Sequence, residues 1–159
     1  MKHILMYFMG SILIVSLFSC KQKQVEVITM NNSRSIEELR LLVLKGDTAA
    51  YDELRYANIA SGHHEEKLVY AIFMANRYNY APAYFDVYSY LETSSESYGR
   101  TMDEKTRKMA IEYLKKGAEL KDCGALGLLS ELYKEGKYVP KDTIMSKKLA
   151  EESKSLCGF

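Results

Sequence analysis

A short motif recurs three times in this chain, and this repetition constrains the fold more than any other feature of the sequence. Each copy has a polar turn, then an alanine, and then an aliphatic residue four positions later. The three pairs are Ala50/Leu54, Ala83/Val87 and Ala125/Leu129. Residues four apart lie on one face of an α-helix, and an alanine there lets a neighbouring helix approach closely. A repeat of a few tens of residues therefore predicts stacked helical hairpins.

The composition supports an all-α reading of the chain from residue 35 to residue 159. Only 2 prolines and 9 glycines interrupt 159 residues, which disfavours a sandwich or a barrel. Ser35 with Glu38, and Thr101 with Glu104, have the spacing of helix-capping boxes. The expected helices span about 35–45, 48–59, 64–77, 81–91, 103–119, 123–134 and 142–155. The Ser-rich stretch 92–100 is interpreted as an insertion loop.

The last repeat carries the most specific pattern, over residues 133–142. Tyr133 and Gly136 match the Tyr-x-x-Gly that ends helix A of Sel1-like repeats, and Val139 and Asp142 match the linker before helix B. Tyr138 stands where the family has a linker glycine. Residues 35–155 thus resemble Sel1-like repeats, close relatives of tetratricopeptide repeats. This resemblance implies a right-handed superhelical solenoid of about three repeats and about seven helices, whose A helices line a concave face.

The N-terminus has the pattern of an export signal. Lys2 precedes an apolar run, from Ile4 to Phe18, that is short for a membrane-spanning helix. Leu17-Phe18-Ser19-Cys20 resembles a bacterial lipobox. The resemblance implies that residues 1–19 are a signal peptide, that Cys20 is lipidated, and that residues 20–34 are a polar tether. An uncleaved anchor and an ordinary cleaved signal are the alternatives. Lys21 is not the inner-membrane retention signal Asp, so the expected location is the outer membrane, facing the periplasm.

The two remaining cysteines, Cys123 and Cys157, lie at the start of the last A helix and after the last B helix. Antiparallel hairpin partners bring these two ends together, so a disulfide is geometrically reasonable. An oxidising compartment permits it. Two free thiols are the alternative.

No catalytic or metal-binding pattern stands out. The best candidate is Gly62-His63-His64-Glu65-Glu66, but adjacent histidines on a helix do not share a face. His63 and Glu66 supply only two ligands, whereas a metal site uses three or four. The sequence therefore predicts no enzyme activity, no cofactor and no metal. The net charge of +1 disfavours nucleic acid as the main partner.

Tyrosine is abundant, with 13 copies, and it is concentrated around the second A helix. A helix that is apolar on every side is either wholly buried or contacts a partner, and both readings remain open. Tyrosine is enriched at binding hot spots. The candidate partner-binding residues are Tyr80, Tyr84, Phe85, Tyr88 and Tyr90, with Asp52, Arg55 and Asp86 as polar neighbours.

These patterns predict a non-enzymatic, membrane-tethered module that binds another protein or peptide in a concave groove. Resemblance to small exported Sel1-like proteins implies an envelope adaptor, or an immunity protein that binds a toxin effector. The alternative is an envelope protein that binds or hydrolyses cell-wall fragments or β-lactams. The paired cysteines that such relatives carry in each repeat are absent from this sequence.

Overall fold

The computed structural model of the chain describes residues 34–57, 64–97 and 99–158, and these ranges contain helices and turns but no strand. The helices are α1 (Ile36–Val43), α2 (Thr48–Ala57), α3 (His64–Tyr78), α4 (Ala81–Ser97), α5 (Glu104–Glu119), α6 (Cys123–Glu135) and α7 (Thr143–Cys157). The all-α prediction is confirmed over the described ranges. The predicted signal peptide, Cys20 and all but the last residue of the predicted tether lie outside them.

Side chains at the predicted helix ends account for several of these boundaries. The hydroxyl of Ser35 accepts a hydrogen bond from the Glu38 amide at 3.2 Å, as its capping role requires. Gly136 ends α6 in the left-handed conformation, with φ of 76°, and Asp142 caps α7 through the next amides. The predicted cap at Thr101 is wrong, because the residue that caps α5 is Asp103.

Helix α4 is longer than predicted, and the expected loop at 92–100 is largely helical. Serine hydroxyls of this stretch form hydrogen bonds within the helix. Ser95 donates to the Leu91 carbonyl at 2.9 Å, and Ser97 donates to the Thr93 carbonyl at 2.8 Å. The chain turns only near Gly99, which has a φ of 64°.

Helices that follow one another along the chain form most of the packing, and α4 also contacts α6. The alanine and aliphatic positions of the repeat are buried at every copy: Ala50, Leu54, Ala83, Val87, Ala125 and Leu129. Two apolar cores result, one around α1 to α4 and one around α4 to α7. Val87 of α4 belongs to the first core and Tyr88 to the second, so this helix joins the two. The superhelical path and its hand stay a prediction.

The last hairpin is joined covalently. Cys123 at the start of α6 and Cys157 at the end of α7 form a disulfide, with their Cα atoms 6.2 Å apart. This distance lies in the ordinary range for disulfides. The bond links the start of α6 to the end of α7.

Candidate functional site

The structure separates the predicted partner-binding residues into a buried group and a partly exposed group. Tyr84, Asp86 and Tyr88 are buried, with 8%, 3% and 0% of their surface exposed. Tyr80, Phe85, Tyr90, Asp52 and Arg55 are partly buried. Any partner contact in this region therefore falls on the second group, since the first group lies in the cores.

The two buried tyrosines find hydrogen-bond partners on or just before their own helix. Tyr84 donates to the side chain of Asn79 at 3.0 Å, and Tyr88 donates to Glu92 at 3.1 Å. Burial and the neighbouring carboxylate of Glu92 raise the pKa of the Tyr88 phenol above its usual value. A buried tyrosine needs such a partner for its hydroxyl. The tyrosine stripe of α4 is thus largely explained by core packing.

Phe85 lies where α4 meets the next two helices. A Cβ atom added to Gly124 would meet the Phe85 ring at 3.2 Å, and one added to Gly117 would lie 3.6 Å from its backbone nitrogen. The glycines therefore let α5 and α6 approach α4 closely. The contacts of Phe85 with these helices give it a packing role.

Asp86 is the centre of a polar cluster that joins α2 to α4. Tyr51 of α2 donates a hydrogen bond to the Asp86 carboxylate at 2.7 Å. The guanidinium of Arg55 contacts the same oxygen at 2.9 Å. Burial raises the pKa of Asp86 to about 6, although Arg55 and Tyr51 favour its charged form. This cluster joins α2 to α4 through one carboxylate.

A second link between the same helices is closer to solvent. Tyr80 donates to Asp52 at 3.0 Å, and Arg55 reaches another oxygen of Asp52 at 3.5 Å. The rings of Tyr80 and Tyr51 meet edge to face at 5.7 Å. Tyr80 and Arg55 are therefore held in defined positions while remaining partly exposed.

A small pocket opens beside this cluster, between the second half of α2, the first half of α3 and the second half of α4. Its empty space, part of which is open solvent, is about 180 Å³, and it is lined by Tyr51, Leu54, Arg55, Lys67, Tyr70 and Tyr90. Tyr90 lines the pocket, and burial raises the pKa of its phenol to about 12. The ammonium of Lys67 lies 6.0 Å from the centroid of the Tyr90 ring. The pocket thus combines two cations with three phenols.

Sequence reasoning missed Tyr51, Lys67 and Tyr70 as members of this site. Lys67 follows a run of polar residues, and this local pattern does not indicate that it is buried. The signal that identifies it is its spacing, because Lys67, Ala71 and Met74 share one helix face, and all three are buried.

The structure describes only part of the histidine segment, Gly62 to Glu66. His63 and the side chains of His64 and Glu65 lie outside the described part of the structure. Glu66 instead accepts from Arg40 of α1, at 2.5 and 2.9 Å. The described residues contain no group of three potential metal ligands. They also contain no helix with the length and apolar character needed to cross a membrane.

Comparison of the chain with known protein families, curated proteins and solved structures gives no match.

Proposed function

We propose that this chain is a membrane-tethered module that binds another protein and carries out no catalysis itself. The observation that supports this proposal most directly is the set of partly exposed side chains on α2 and α4. Arg55 is fixed by Asp86, and Tyr80 is fixed by Asp52. Side chains that are already ordered lose little conformational entropy on binding, and Tyr and Arg dominate binding hot spots.

The arrangement of the helices supports the same proposal. Helices α2, α4 and α6 alternate with α3, α5 and α7 along the chain, and contacts join α2 to α4 and α4 to α6. In stacked helical hairpins, the helices that contact each other in this way form the inner face of the array. We therefore place the partner on the α2–α4 part of that face. Its role there is that of an envelope adaptor, or of an immunity protein that neutralises a toxin.

Site-specific photo-crosslinking tests this placement in the native envelope. Benzoylphenylalanine replaces Tyr80 or Tyr90 in the full chain, and a matched control replaces Glu112, an exposed residue of α5. We expect one adduct of discrete mass at positions 80 and 90 and none at position 112. Equal adduct formation at all three positions, or none at any, contradicts the proposal. The mass and identity of the adduct then distinguish an envelope component from a toxin.

A further inference from the structure

Lys67 is unusual because it is buried without a counter-ion in direct contact. Only 6% of its surface is exposed. Among the described residues, none forms a hydrogen bond or an ion pair with its ammonium group. The ammonium lies 6.0 Å from the centroid of the Tyr90 ring, at the outer limit of a cation–π contact. Lysine is rarely buried in this way unless it is paired.

The nearby carboxylate does not meet this need. Asp86 already accepts from Tyr51 and from Arg55, at 2.7 and 2.9 Å. It acts on Lys67 only through the longer-range field, while burial lowers the pKa of the lysine. Arg55 is paired with both Asp86 and Asp52, whereas Lys67 has no carboxylate in contact among the described residues. A buried ammonium without a hydrogen-bond acceptor is costly, and an acceptor brought by a ligand removes that cost.

We propose that this pocket binds the carboxylate of an aspartate or glutamate side chain that projects from the protein partner. Lys67 provides the charge for this contact. The hydroxyl of Tyr70, which has no hydrogen-bond partner among the described residues, provides a donor. The hydroxyl of Tyr90, which lines the same pocket, is a second donor. The proposal rests on the proposed function, since it names the chemical group by which the partner is recognised.

The lining of the pocket suits the end of one side chain, because ring surface surrounds a few polar groups. The phenols of Tyr51, Tyr70 and Tyr90 offer apolar ring surface to the methylene groups that precede a carboxylate. The pocket also lies beside Tyr80 and Arg55, on the surface where we place the partner.

The test uses the full chain in detergent and two blocked pentapeptides, which carry one central glutamate or one central glutamine between glycines. Dissociation constants are measured by nuclear magnetic resonance titration at constant ionic strength. We expect the glutamate peptide to bind at least tenfold more tightly than the glutamine peptide. Lys67→Gln is expected to remove this difference. The matched control Lys148→Gln, at an exposed position of α7, is expected to retain it.

Circular dichroism establishes that each variant is folded, and Lys67→Met is a second neutral variant with the same expected result. Equal binding of the two peptides to the unmodified chain overturns the proposal without any variant. Selectivity that persists in the folded Lys67 variants also overturns it. Acetate or inorganic phosphate that binds as tightly as the glutamate peptide counts against a protein side chain as the occupant.

The two proposals fail in different ways. If crosslinking at positions 80 and 90 captures a partner but the peptides are not distinguished, the pocket proposal fails and the proposed function stands. If the glutamate peptide is selected but no partner is captured, the pocket binds carboxylates and the proposed function fails.

Discussion

Replacing Asp86 with asparagine separates two opposing effects at the centre of the α2–α4 cluster. The contacts with Arg55 and Tyr51 favour the charged carboxylate, whereas burial disfavours it. Asparagine retains an oxygen that accepts from Tyr51, but it carries no charge and does not titrate. The free energy of unfolding of the unmodified chain minus that of Asp86→Asn, followed against pH, therefore reports the titration of Asp86 alone.

The structure gives this difference a sign and a size. The pKa of Asp86 in the folded chain is about 6, against an ordinary value of 3.8. The folded chain thus holds the proton more tightly than the unfolded chain. The stabilisation from this proton is complete below pH 3.8 and is lost as the pH rises through about 6. At about 1.4 kcal/mol per pKa unit the total is about 3 kcal/mol, of which about 2 kcal/mol is lost between pH 4 and 7.

Urea unfolding of the oxidised protein, followed by circular dichroism at several pH values, measures the difference. Asp103→Asn is a control with the opposite sign, because hydrogen bonds from Thr106 lower the pKa of Asp103. The stability of the unmodified chain relative to this control is expected to fall as the pH drops below 3.8. A difference for Asp86→Asn that stays constant or increases between pH 4 and 7 would show that the ion pair outweighs burial, and would refute the reasoning.

Three further changes test other parts of the structure. Replacing Cys123 and Cys157 with serine opens a 34-residue loop and is expected to lower the free energy of unfolding by about 4 kcal/mol. Urea unfolding measures this difference, and equal stability with and without the bond contradicts the expectation. Gly117→Ala places a Cβ atom 2.9 Å from that of Ala125 and is expected to lower the free energy of unfolding by about 1 kcal/mol or more. Gly127→Ala makes only ordinary contacts and is expected to raise the free energy of unfolding by about 0.5 to 1 kcal/mol. The same change in unfolding free energy for both variants would refute the argument that α4 to α6 approach closely at Gly117. Cys20→Ala is expected to abolish incorporation of a labelled fatty acid and to remove the chain from the membrane fraction. Retained labelling contradicts the lipobox prediction.

The pocket shows where sequence reasoning stopped. Asp86 and Arg55 were named as candidate residues because they lie near the tyrosines on predicted A helices. Nothing in their spacing indicates that the guanidinium of Arg55 lies 2.9 Å from a carboxylate oxygen of Asp86, since the two residues belong to different hairpins. Lys67 belongs to a third helix, and its burial depends on how α3 packs against α4. Contacts between hairpins require a relative position of the helices that local periodicity does not contain.

Local sequence patterns predict the helical character of the described residues and most helix boundaries. Helix periodicity, caps such as Asp142 and turn residues such as Gly136 act over a few neighbouring positions. The sequence also determined which alanine and aliphatic residues are buried, since each helix has one apolar face to cover. Only the tertiary structure decided which tyrosines of α4 are core and which remain partly exposed. That helix is apolar on several sides, and the choice between core and surface depends on neighbours that pack against it from both halves of the chain. The same packing decided that Lys67 is enclosed beside Asp86 rather than solvated.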